Sequence, residues 1–108
     1  MSFEVKTIPH FEKEFKRLFK KYPSLKSDIF KLISQLEIGP ITGIPLGKDF
    51  YKIRLSISSK GRGKSGGGRV ITCVKVVQNT VYLATVYDKS EKSGISDDEL
   101  KFLASQIG

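Results

Sequence analysis

Cysteine and histidine are almost absent from this 108-residue chain, which has Cys73 and His10 and no others. A lone thiol excludes an internal disulfide framework and a cysteine-based metal centre. A lone imidazole excludes a histidine-based zinc site and a nuclease built on paired histidines. No apolar run approaches the roughly 20 residues that span a bilayer. The opening MSFEVKTIPH lacks the apolar stretch of a secretory signal, so a cytoplasmic protein with no membrane partner is expected. Acidic residues are also scarce, 11 against 19 Lys and Arg, and the net charge is +8.

What is present fits one domain spanning residues 1–108. Seven Phe and four Tyr supply a core, and charged residues interleave with apolar ones instead of forming disordered blocks. The positive charge is unevenly spread. Lys48, Lys52, Arg54, Lys60, Arg62, Lys64, Arg69 and Lys75 face Asp49 as the only acid of that stretch, so a polyanionic partner is expected. Cys73 sits in the apolar run Val70-Ile71-Thr72-Cys73-Val74 and reads as a buried, inert thiol.

Residues 2–7 alternate like a short strand. Thr7 and Pro9 then suit the N-cap and first turn of a helix. Phe11, Phe15, Leu18, Phe19 and Tyr22 form its apolar face, and Lys13, Lys16, Arg17, Lys20 and Lys21 its polar one. His10, at the start of this helix, reads as a surface or cap residue away from any site. Tyr22-Pro23 ends the helix. Leu25, Ile29, Leu32, Ile33 and Leu36 stripe a second helix that Gly39-Pro40 stops, which makes a helical hairpin. Residues 39–49 read as a connector. Strands are expected over 50–57, 69–77 and 80–87, with a turn at Gln78-Asn79. Ser96-Asp97-Asp98-Glu99 is a capping box before a terminal helix. The order β-α-α-β-β-β-α with short links predicts an α+β domain: an N-terminal helical hairpin on a small, mainly antiparallel twisted sheet, with a C-terminal helix.

The glycine-rich stretch SSKGRGKSGGG, residues 58–68, contains Gly63-Lys64-Ser65, the end of a nucleotide-binding P-loop. That loop needs a glycine where Ser58 stands and a helix after Ser65, where three glycines and a strand follow. A nucleotide loop is therefore excluded. The stretch is then either a flexible hairpin loop or a basic loop that tracks a phosphate backbone such as RNA; no turn requires cations, which favours the second, with Lys60, Arg62 and Lys64 as contacts on a loop expected to be mobile until bound. Alternation in Tyr51-Lys52-Ile53-Arg54-Leu55 projects Lys52 and Arg54 from one side of the sheet. Arg69 opens the next strand and can reach the same face. Tyr87-Asp88-Lys89 closes the last one with a phenol, an acid and a cation.

The stretch Tyr51 to Leu55, Gly68-Arg69-Val70-Ile71, the strand Val81 to Val86 and the tail Tyr87-Asp88-Lys89-Ser90-Glu91-Lys92 carry a resemblance to a family. The chain resembles the RelE/ParE superfamily of bacterial toxins, in particular its RelE- and HigB-like ribonucleases. The resemblance implies a ribosome-dependent endoribonuclease that cuts messenger RNA without metal or other cofactor. It also implies silencing by a co-encoded antitoxin, with operator DNA reached only through the antitoxin complex. Lys52 and Arg54 match the catalytic cation pair of RelE-like members, Arg69 the phosphate-supporting arginine, and Lys89 the basic residue after the last strand. The tyrosine that RelE-like members carry near the terminal helix is replaced by Ile95. HigB-like members use tyrosine and acidic side chains after the last strand, which offers Tyr87 and Asp88 as substitutes. In this chemistry the 2′-hydroxyl attacks the adjacent phosphate, fixed cations stabilise the charge that builds up, and Lys52 or Tyr87 moves the proton. A gyrase inhibitor of ParE type and a non-catalytic RNA-binding module are the alternatives.

Overall fold

The computed structural model describes residues 2–60 and 67–108. Strand β1 (Glu4–Thr7) leads into helices α1 (Pro9–Lys21) and α2 (Leu25–Ile38). Strands β2 (Ile44–Gly47), β3 (Phe50–Leu55), β4 (Gly68–Lys75) and β5 (Thr80–Asp88) follow, and helix α3 (Asp97–Ser105) closes the chain. The strands form one sheet in the order β1-β5-β4-β3-β2; β1 runs parallel to β5 and every other pair is antiparallel. This is the expected α+β arrangement. Among the described residues no helix is long and apolar enough to cross a membrane.

Helical periodicity places the core. Phe11 and Leu18 of α1 and Leu25, Ile29, Leu32 and Leu36 of α2 are buried together with Val70, Val74, Val81, Leu83 and Val86 of the sheet. The hairpin covers one face, where Phe11, Phe15, Ile29 and Ile33 line a groove with Leu83. The opposite face is covered at one end by α3, whose Ala104, with Ile107 just beyond the helix, shares a small cavity with Phe50 and Cys73. Cys73 is buried, and burial pushes its thiol up, against the opposing charge of Lys75.

Local differences from the sequence reading have physical causes. The cap of α1 is Ile8, and the Thr7 hydroxyl donates instead to Glu12. The connector contains β2, which lies on the sheet edge where Pro45 loses no inner ladder bond. Strand β4 stops at Lys75, because Val76–Gln78 winds into a 3-10 turn and Asn79 takes a left-handed φ of 53°. The capping box of α3 is formed as expected: the Ser96 hydroxyl accepts from the Glu99 N–H, and the Glu99 carboxylate accepts from the Ser96 N–H.

An irregularity in β5 decides which of its side chains share a face. Ile71 pairs with Thr85 but Thr72 pairs with Leu83, so Ala84 is an extra residue in β5. Side chains alternate along a strand, and a bulge shifts that alternation by one. Val81 and Leu83 therefore face the helical hairpin, whereas Thr85 and Tyr87 turn to the other side.

Candidate functional site

Register builds a charged row across the sheet. Arg54 of β3 lies opposite Arg69 of β4, and Arg69 lies opposite Tyr87 of β5. Lys52, two residues from Arg54, projects from the same face. These strands place Lys52, Arg54, Arg69 and Lys89 around a pocket of about 640 Å³, completed by Thr42, Gly43, Ile44, Ile53 and Ser93. No acid lines it among the described residues. Arg54 is exposed and Lys52 half-buried, while Arg69 is 7% exposed and donates from Nη1 to the Gly68 carbonyl at 2.8 Å. The main chain fixes the position of Lys89, whose N–H donates to Gly67 at 3.1 Å.

Gly43 lets the edge strand close this pocket. Its φ is +94°, and a Cβ there would stand 2.3 Å from the Lys52 carbonyl oxygen. Gly43→Ala is expected to cost about 2–3 kcal/mol through strain and displacement of β3. Denaturant unfolding checks this, and the same variant should weaken anion binding at Lys52.

The other predicted residues lie elsewhere. The Asp88 side chain points to the helical-hairpin face and is fully buried. Its Oδ1 accepts from Lys60 Nζ at 2.5 Å and from the Ser90 hydroxyl and N–H at 2.7 and 2.9 Å, and Oδ2 accepts from the Tyr22 hydroxyl at 2.6 Å. Burial alone would raise this carboxyl. The bonds from Lys60, Tyr22 and Ser90 outweigh it and hold Asp88 well below the usual carboxylate range. Both oxygens are occupied away from the cation pocket, which makes Asp88, offered by the sequence as a substitute site residue, a tie between strand, turn and helix. Lys60, expected to contact RNA, is its partner: the side chain is 10% exposed and its ammonium also lies 5.9 Å from the Tyr22 ring centre. Arg62 and Lys64, and the expected mobility of the glycine loop, lie outside the described residues.

Tyr87 lines a neighbouring cavity of about 620 Å³. Helix α1 contributes His10, Glu14 and Arg17, the tail contributes Glu91, Lys92 and Ile95, and α3 contributes Asp98, Glu99, Phe102 and Leu103. Burial pushes the Tyr87 phenol up, only partly opposed by the charge of Arg69. His10 is half-buried at this rim with its ring edge-on to Phe102, centres 5.4 Å apart, and its backbone N–H donates to the Gln106 side-chain oxygen. The sequence reading set His10 apart from any site. The signal it passed over is a second helical stripe, His10, Glu14 and Arg17, at i, i+4 and i+7.

Comparison with known proteins fits this architecture. The family model described as "RelE toxin of RelE / RelB toxin-antitoxin system" matches residues 10–107. An E. coli RelE toxin mutant in the free state superimposes with a TM-score of 0.65 at 15% identity, covering 100% of both chains. The toxin-antitoxin complex RelBE2 of Mycobacterium tuberculosis gives 0.61 at 16% identity, over 82% of this chain and 92% of that one. A metal-bound toxin from Helicobacter pylori gives 0.53 at 21% identity, over 83% and 98%. At these identities the structures testify to the fold, and the family match extends over almost the whole chain. The protein belongs to the RelE toxin family.

Proposed function

We propose that this protein is the toxin of a toxin–antitoxin pair and cuts messenger RNA on the ribosome. The observation that carries the reading is the convergence of Lys52, Arg54, Arg69 and Lys89 on one pocket. Cations held by a sheet suit a phosphodiester, and an arginine fork matches two phosphate oxygens at once. In the reaction, the RNA 2′-oxygen bonds to phosphorus as the bond to the 5′-oxygen breaks. A 2′,3′-cyclic phosphate remains and the 5′-oxygen takes up a proton from water. Fixed positive charge stabilises the transition state, in which the phosphate carries more charge than before. A guanidinium does not give up its proton, so the proton of the 2′-hydroxyl is assigned to Lys52. A cognate antitoxin silences the toxin, and operator DNA is met only through the pair; the M. tuberculosis neighbour, solved as a toxin-antitoxin complex, supports the antitoxin partner.

Primer-extension mapping of messenger ends after toxin induction tests the reading. Cuts in register with codons and dependent on translation are expected. A DNA-damage response without cuts would point to gyrase and overturn it, and neither outcome would leave only RNA binding.

A further inference from the structure

The cavity beside Tyr87 is nearly as large as the cation pocket, but its lining differs in kind. Both cations of its rim are already paired, Arg17 with Glu14 at 3.1 Å and Glu91 at 3.3 Å and Lys92 with Glu99, and Asp98 is a further acid of the lining. What remains for a guest is the surface of Phe102, Ile95, Leu103 and the Tyr87 ring. One polar atom there is unanswered. Tyr87 is 4% exposed, and its buried hydroxyl has no hydrogen-bond partner among the described residues. A buried hydroxyl without a partner is costly to the fold, and a guest offering an acceptor removes that cost. Flat apolar walls around a single phenolic donor suit an aromatic heterocycle.

Position selects which heterocycle. Tyr87 is the direct cross-strand neighbour of Arg69, so the two pockets meet at this pair. Directly paired residues stand about 5 Å apart, on the scale of a single nucleotide. We propose that the Tyr87 cavity receives the base of the nucleotide whose phosphate rests on Arg54 and Arg69, stacked at Phe102 and hydrogen-bonded by the Tyr87 hydroxyl. This rests on the phosphate-binding reading of the cation pocket. Lys92 is the side chain to be displaced: its ammonium lies 5.9 Å from the Tyr87 ring centre, and its surface ion pair with Glu99 is cheap to open. Carboxylates at Asp98 and Glu99 accept hydrogen bonds from exocyclic amino groups, which favours cytosine or adenine over uracil.

The test is calorimetric titration of the full chain with cytidine 3′-monophosphate, uridine 3′-monophosphate and ribose 5-phosphate. The cytidine nucleotide is expected to bind about tenfold more tightly than ribose phosphate, a gain typical of one stacked base. Uridine should fall between them. The Tyr87 hydroxyl has no hydrogen-bond partner among the described residues, so Tyr87→Phe should fold normally. That variant should lose most of the preference for a base while keeping its affinity for ribose phosphate, and Phe102→Ala should behave alike. Arg54→Ala should weaken all three ligands together. Equal binding of base-bearing and base-free phosphates, or an unchanged preference in both cavity variants, would overturn the base pocket and leave the phosphate site standing. If no probe binds, or Arg54→Ala alters none, the phosphate reading fails and the base pocket with it.

Discussion

Arg54→Ala should cut messenger RNA about 10²–10³-fold more slowly than the unaltered protein, and adding Arg69→Ala should abolish cleavage. The estimate is that for removing one fixed donor aimed at a charge-accumulating transition state. Arg54 is exposed, so its loss leaves no cavity and the thermal midpoint should not move. Arg69 is buried, and its alanine variant also removes packing; Arg69→Lys separates the two contributions. A lysine keeps the charge but cannot present two parallel N–H groups to phosphate, so activity between the two limits is expected. Cleavage is read by primer extension on translated messenger, with circular dichroism melts to verify folding. Full activity in folded Arg54→Ala and Arg69→Lys proteins would remove these residues from the reaction.

Asp88→Asn should destabilise the fold by about 3–5 kcal/mol, the scale for breaking one side of a buried ion pair. Asparagine keeps the shape but leaves the Lys60 ammonium without its counter-charge in an enclosed place. Pairing the change with Lys60→Met should restore much of the loss, since no buried charge is then stranded. The pH dependence has a definite sign. Asp88 is held below its unfolded value of about 3.9, so its contribution is complete above that pH and is lost as pH falls through the lower folded value. Urea unfolding at pH 7 and pH 3 should show a steeper acid loss in the unaltered protein than in Asp88→Asn. Equal slopes would show that Asp88 is not held as described.

Much of the architecture could be read from the chain because it is periodic. The stripes Phe11-Phe15-Leu18 and Leu25-Ile29-Leu32-Leu36 give both hairpin helices, and alternation from Tyr51 to Leu55 puts Lys52 and Arg54 on one side. Strand β2 could not be read, since Pro45 and Gly47 obscure any alternation in four residues whose place comes from pairing. The role of Asp88 was equally hidden. Its partners Tyr22 and Lys60 are 66 and 28 residues away, and only the folded chain assembles them. The same holds for the Tyr87 cavity, which needs α1, the tail and α3 at once.

The extra residue at Ala84 also bears on how distant relatives are to be aligned. A homologue lacking it would keep every facing of β5 while its tail is numbered one shorter. An ungapped alignment running through the strand would then match Tyr87 to the homologue's Asp88 equivalent, setting a groove residue against a buried tie. At identities near 15%, nothing in the letters would reveal the slip. Equivalence at the end of this strand is therefore best counted sideways from Arg69, across the ladder, and not forwards along the chain.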